Sequence, residues 1–240
     1  MKQRLDLVLV ARGLAGSREK AQALIMAGDV MVSGQKAVKS GQTVDPEAAI
    51  SVSAPPRYVS RGGLKLEAAL RHFAVDATGL VCLDIGASTG GFTDCLLQHG
   101  ALRVHAIDVG TNQLDWRLRS DGRVRSQEHR NARELSAQDL GELVELLVCD
   151  VSFISVTLLL PALVPLLTPA GQMIILVKPQ FEVGKGQVGK GGIVRDPALH
   201  QAATARVEAA VRGTGFQTAL MPSPILGAEG NKEFLLYARR

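Results

Sequence analysis

The sequence predicts an α/β protein: a mostly parallel seven-stranded sheet whose last strand runs antiparallel, preceded by a small α+β unit. Three observations carry this expectation. From residue 63 onward, short apolar runs alternate with helical stretches, the rhythm of a sheet covered by helices on both faces. Several of these runs end or begin on a charged residue that a buried strand does not need. The first 56 residues follow a different rhythm and gather basic side chains. A chain of 240 residues, 46% hydrophobic and 21% charged, has room for one domain of moderate size and a small appendage, and lacks the bias of long disorder.

In the small unit, 1–56, "RLDLVLVARG" sets Leu5, Val8 and Leu9 on one helical face and stops at Gly13. A second helix begins at the N-cap Ser17, turns Ala21, Leu24 and Ile25 inward, and closes at Gly28. "DVMVSGQ" alternates and turns at Ser33-Gly34, as a strand entering a hairpin does. Arg4, Arg12, Arg18, Lys20, Lys36 and Lys39 outnumber Asp6, Glu19, Asp29, Asp45 and Glu47 here, in a chain of net charge +4. Such a cluster of cations suits an RNA-facing surface. "SAPPRYVSRGG" (53–63) then reads as a connection, with the linker proper at 57–62.

From residue 63 to 240 the expected strands are 80–85, 102–108, 123–128, 143–150, 172–178, 216–221 and 233–238. The clearest helix has Asp196 as N-cap, Pro197 at its first position and Gly213 or Gly215 near its end. "VSFISVTLLLPALVPLL" (151–167) is too short for a spanning helix, which needs ~20 apolar residues, and is expected as a buried helix against the sheet. The N-terminal run is interrupted by Asp6 and does not read as a signal peptide. Cys82, Cys95 and Cys149 have no metal-knuckle spacing and are expected as buried, reduced thiols, in keeping with a cytoplasmic protein. The five histidines are scattered, so no metal site is expected.

The chemistry concentrates at strand ends. Asp84 ends the first strand of the sheet, and Gly86, Ser88 and Gly90 form the turn into the next helix. Ligands of open α/β sheets bind at that edge. Asp108 ends the second strand, where a carboxylate accepts hydrogen bonds from ribose hydroxyls; G-x-G-x-x-G is missing. Asn131 follows the third strand and is a candidate for the same ligand. Asp150 ends the fourth strand, Lys178 ends the fifth, Glu233 starts the last, and Lys65 lies just past the linker. Glu233 reaches the edge that holds the others only if the last strand is antiparallel.

"GKGQVGKGG" (184–192) matches the core of a phosphate-gripping P-loop, but Lys190 is followed by Gly191 in place of Ser or Thr, and no helix follows at once. It reads as a loop whose Lys185 and Lys190 stand ready for RNA phosphate, with Arg61 a further RNA candidate beside the linker.

Two resemblances add to this. The stretch "RLDLVLVARGLAGSREKAQALIMAGDVMVSGQ" resembles the S4-like RNA-binding domain, which implies RNA as partner. "LDIGASTGGFTDCLLQ" resembles motif I of Rossmann-like methyltransferases, which implies S-adenosylmethionine as cofactor and S-adenosylhomocysteine as product. The set Lys65–Asp150–Lys178–Glu233 resembles the catalytic tetrad of FtsJ-like 2′-O-methyltransferases. Together with "YVSRGGLKLEAAL", "CDVSFIS", "VKPQFE", "GKGGIVRDP" and "GNKEFL", it resembles the TlyA family over nearly the whole chain. That resemblance implies a Rossmann-like class I methyltransferase acting on the 2′-hydroxyl of cytidine in ribosomal RNA, 16S, 23S or both. It also implies that "RYVS" influences cofactor binding. Two rival readings stay open: a non-enzymatic RNA-binding protein, and a pore-forming hemolysin, the label the family often carries.

Overall fold

In the computed structural model, which describes residues 2–53, 56–184 and 186–240, the chain separates into two compact units, Met1–Arg57 and Tyr58–Arg240. The smaller unit runs β1 (Gln3–Arg4), α1 (Leu5–Ala11), α2 (Arg18–Ala27), β2 (Val30–Val32), β3 (Gln35–Lys36), β4 (Thr43–Val44) and β5 (Ile50–Val52). Its core is Leu5, Val8 and Leu9 of α1 against Ala21 and Ile25 of α2 and Val30 of β2. Ser17 caps α2 by accepting from the Lys20 N–H. The β2–β3 hairpin turns through Ser33 and Gly34, both at positive φ, as a two-residue type I′ turn requires.

The larger unit contains α3 (Gly62–His72), β6 (Val81–Ile85), α4 (Gly91–Gln98), β7 (Arg103–Ile107), α5 (Trp116–Arg119), β8 (Val124–Gln127), α6 (Ala137–Leu140), β9 (Val144–Cys149), α7 (Leu160–Leu163), β10 (Leu167–Val177), α8 (Pro179–Glu182), α9 (Pro197–Arg212), β11 (Gln217–Pro222) and β12 (Phe234–Arg239). These strands form a seven-stranded sheet in the order β11-β12-β10-β9-β6-β7-β8. The pairs among β10, β9, β6, β7 and β8 are parallel, and β12 is antiparallel to both neighbours. Alternate residues serve alternate faces. Cys82, Leu146 and Val148 meet α3 and α4 through Leu66, Phe92 and Leu96. Leu83, Leu147 and Ile175 meet the opposite layer through Leu160, Leu163, Val207 and Val211. The segment expected as linker packs from Tyr58 onward: Tyr58 is buried in the first of these clusters, and the Val59 N–H donates to Asp94 Oδ2 at 2.8 Å.

One expected element is not there. The run 151–167 is not a continuous helix but a 3₁₀ turn Val156–Leu158, the four-residue α7, and a second 3₁₀ turn Val164–Leu166. Pro161 and Pro165 lack the N–H that a continuing helix would use, so the chain breaks into single turns that still bury Leu160, Leu163 and Leu166. No helix among the described residues is long and apolar enough to cross a membrane. The three cysteines are buried and form no disulfide among the described residues, and burial pushes the Cys82 thiol up to about 12.

Candidate active site

Strand order reverses between β6 and β9, so the loops leaving their carboxyl ends diverge and open a crevice. A cavity of ≈ 410 Å³ lies there, walled by Gly86, Ser88, Asp108, Asn131 and Asp150 among others, which is the size class of small-molecule sites. Gly86 sits at φ +80°, and a Cβ on it would meet the Asp150 carbonyl oxygen at 2.4 Å. Only glycine lets the β6 loop lie this close to the end of β9. Asp108 accepts from the Ser88 N–H at 2.8 Å through Oδ2 and from the Gly110 N–H at 2.7 Å through Oδ1. These bonds lock its carboxylate at the cavity wall and leave each oxygen a further lone pair. Asn131 lines the same cavity while its Oδ1 accepts from the Arg133 N–H.

Two of the expected cofactor residues do not line it. Asp84 is fully buried beneath the loop, and its Oδ2 accepts from Thr93 Oγ1 at 2.6 Å. Its Oδ1 has no partner among the described residues. Burial, with Asp150 and Asp108 adding negative charge, pushes its carboxyl up to about 7. Gly90, at φ +97°, faces Leu114 and Leu118, where a Cβ would stand 2.3 Å from a Leu118 methyl. Both residues shape the loop from behind: one sits beneath it and one lets α5 pack against it.

Beside the first cavity, a second of ≈ 200 Å³ is lined by Ser60, Lys65, Gly86, Ser88, Asp150, Ser152 and Lys178. Lys178 Nζ is 2.5 Å from Asp150 Oδ1, and it donates to Ser152 Oγ at 2.9 Å. Lys65 Nζ donates to Glu233 Oε2 at 2.5 Å, a pair with both side chains buried. Three polar strand-end residues and Lys65 of α3 are thus two ion pairs on one rim, and Glu233 reaches it because β12 is antiparallel. An ammonium has three donors. Lys178 donates one hydrogen bond here, to Ser152, with Asp150 as its ion-pair partner, and so keeps donor capacity for an oxygen in the cavity.

Three contributors carried no sequence signal of their own. Ser152 orients Lys178. Phe153, 91% exposed at φ +65°, stands at the mouth of the larger cavity and packs against Phe181. Glu182 is buried and accepts from Ser155 Oγ at 2.6 Å and from the Val156 N–H at 2.9 Å, which holds the loop after Asp150; burial raises its carboxyl. "CDVSFIS" and "VKPQFE" mark these loops but assign them no contacts.

The RNA candidates divide. In the smaller unit, Arg4 makes two bonds to Asp6, at 3.0 and 2.8 Å, and Arg18 a third at 3.0 Å. Gln22 and the Leu7 N–H complete the shell of this fully buried carboxylate, which the Arg4 guanidinium holds well below the usual range. Arg12 donates to the carbonyls of Ala48 and Pro46. These three arginines, expected to face RNA, therefore also hold the smaller unit together. Lys20 and Lys36 are exposed and make no ion pair among the described residues. In the larger unit, Arg61 donates to the Leu226 carbonyl at 2.6 Å. Lys190 is exposed on a 3₁₀ turn, Lys190–Gly192, while Lys185 lies outside the described residues. Among the described residues, no group of three or more His, Cys, Asp or Glu side chains is arranged to hold a metal ion.

Comparison with known proteins gives this site a family. The FtsJ-like methyltransferase model matches residues 58–240 and the S4 domain model residues 3–50. The 16S/23S rRNA (cytidine-2′-O)-methyltransferase TlyA of Mycobacterium tuberculosis is 46% identical over 241 residues, covering 99% of this chain and 90% of that protein. The 23S rRNA (cytidine-2′-O)-methyltransferase TlyA of Campylobacter jejuni is 34% identical, with 95% and 96% covered. A solved chain from Streptococcus thermophilus that carries a hemolysin designation superposes with a TM-score of 0.77 at 45% identity, covering 100% of this chain and 88% of its own. The chain belongs to the FtsJ-like methyltransferase family, with an S4 domain ahead of its methyltransferase domain.

Proposed function

We propose that this protein transfers a methyl group from S-adenosylmethionine to the 2′-hydroxyl of a cytidine ribose in ribosomal RNA, in the cytoplasm. In this reading residues 63–240 carry the reaction, 1–56 grip RNA, and 57–62 join them. The observation that carries it is the pair of adjoining cavities. Gly86, Ser88, Asp150 and Ser152 wall both, so a small-molecule pocket and a lysine-lined chamber share one partition.

The donor set suits this cofactor. Asp108 offers lone pairs to ribose hydroxyls, Asn131 an amide to the adenine, and the Gly86 turn a backbone surface that no side chain obstructs. A phosphate cradle is not needed, since this cofactor carries no phosphate. When bound, S-adenosylmethionine supplies an electrophilic methyl on a sulfonium.

The ribose hydroxyl is a weak nucleophile, and its oxygen gains negative charge as its proton passes to water while the methyl leaves its sulfur. An ammonium held against a carboxylate is suited to stabilising that oxygen electrostatically, and Lys178, seated on Asp150 and Ser152, takes this role. Lys65, fixed by Glu233, holds the ribose or its phosphate in line for attack.

The test is transfer of labelled methyl to separated ribosomal subunits from cells lacking the protein, followed by mapping of the modified sugar. The expected product is one or two 2′-O-methylcytidines. Absence of transfer to either subunit, or a methyl on a base, refutes the proposal.

A further inference from the structure

A third cavity, ≈ 400 Å³ and as large as the cofactor pocket, is not used by the chemistry above. It lies between the start of α9 and the strands β11 and β12. The sheet register places it: Val177 pairs with Phe234, and Phe234 with Pro222. The end of β11 and the start of β12 therefore stand at the edge where β10 delivers Lys178. Along that edge the strand order sets the three cavities in line: cofactor pocket over β7, β6 and β9, reaction chamber over β6, β9 and β10, third cavity over β12 and β11. Glu233 is the hinge of the row, lining the third cavity while its carboxylate holds Lys65 of the chamber.

The third cavity is built, not incidental. Its outer wall, the segment 223–231, is tied at its middle and at its far end. Arg61 grips the Leu226 carbonyl at 2.6 Å. The Asn231 side chain donates to the Gly192 carbonyl at 2.9 Å and accepts from the Val194 N–H at 3.1 Å, which joins this wall to the glycine-rich loop. The lining is mostly apolar, with Leu226 half exposed, and Gln201 and Lys232 supply exposed polar groups at the rim. An apolar lining, an amide and a cation match a nucleobase and its phosphate. The one acidic group there, Glu233, is already compensated by Lys65.

We propose that the third cavity binds the nucleotide adjacent to the methylated one in the same RNA strand. The base lies against Leu226, its edge meets Gln201, and Lys232 takes a phosphate. This rests on the reading of the chain as an RNA methyltransferase. A polymer held at the chamber can continue along the edge, and beyond Lys178 on that edge lies the third cavity.

Two measurements on the full chain test it. First, Lys178→Ala protein is crosslinked by short-wavelength ultraviolet light to ribosomal subunits from cells lacking the protein, and the joined peptides are identified by mass spectrometry. Crosslinks within 197–201 or 222–234 are expected, and their loss in Lys178→Ala/Leu226→Ala/Lys232→Ala protein. Crosslinks confined to other segments overturn the proposal. Second, Leu226→Ala/Lys232→Ala is expected to raise KM for the subunits roughly tenfold, with kcat held within about twofold and cofactor affinity unchanged. An unmoved KM, or a change in cofactor affinity instead, also overturns it. If wild-type protein transfers no methyl, the methyltransferase reading fails, and the crosslink pattern still decides the cavity.

Discussion

Each unit of this protein buries one aspartate completely, and the two are treated in opposite ways. In the smaller unit, Asp6 receives donors from Arg4, Arg18, Gln22 and the Leu7 N–H, and its carboxyl is held low. In the larger unit, Asp84 receives one hydroxyl, from Thr93, keeps an oxygen without a partner, and is pushed up to about 7. Neither carboxylate reaches solvent, but Asp84 lies deeper in the protein, so burial with few donors raises it where the Arg4, Gln22 and Arg18 donors hold Asp6 low. The smaller unit spends its cations on satisfying an acid. The larger leaves Asp84 short of donors in its interior and keeps Lys178 incompletely satisfied at the rim of the sheet. Complete satisfaction serves folding, and an incompletely satisfied ammonium in a cavity leaves something for a substrate to finish.

The severest way to probe this contrast is to remove the spare donor. Lys178→Ala is expected to lower methyl transfer by roughly a thousandfold or more while cofactor affinity, measured by calorimetry, is retained. Normal turnover by that variant would break the contrast at its functional end. Next comes Asp84. Its folded carboxyl is raised above the ordinary value near 4, so the folded state holds a proton that the unfolded chain releases. Stability is therefore full below about pH 4 and falls as pH rises through about 7, on the order of 4 kcal/mol in all. Asp84→Asn is expected to flatten that fall in urea melts across pH 4 to 8; a wild-type profile with no fall would show that Asp84 is satisfied after all.

Asp6 has the opposite sign. Its depressed carboxyl contributes stability above about pH 4, and this is lost as the solution is made more acid. Asp6→Ala is expected to cost about 3 kcal/mol, seen as faster amide exchange in α1 and α2 with cofactor affinity untouched. The smallest effect belongs to the exposed lysines. Lys20→Ala and Lys36→Ala are each expected to weaken RNA binding several-fold and to lower the dependence of log affinity on log salt by roughly one. A larger loss from Arg12→Ala at unchanged stability would show that the arginines of this unit serve RNA more than fold.

Much of the architecture was legible before any coordinates. β6, expected at 80–85, spans Val81–Ile85, and β9, expected at 143–150, spans Val144–Cys149, because apolar runs flanked by charge announce buried strands with exposed ends. The strand-end charges Asp150, Lys178 and Glu233 were legible for the same reason. What sequence hid was tertiary. Arg18 reaches Asp6 only because α2 packs on α1, and no local pattern announces a pair twelve residues apart. Asp84 and Gly90 read as ligand contacts because their types fit. Whether a side chain faces the cavity or the layer beneath depends on the turn at Gly86 and on where α5 lands. The run 151–167 misled through hydrophobicity alone, since its prolines cut the helix while its leucines still pack.

The partition between the two adjoining cavities is thin, and Gly86 and Asp150 form it with their backbones in contact. Any side chain at position 86 would push the two apart, so cofactor affinity and turnover would fail together and not one by one. The same closeness invites chemistry from outside: a single compound with a nucleoside at one end and a sugar at the other needs only a short tether to occupy both chambers at once.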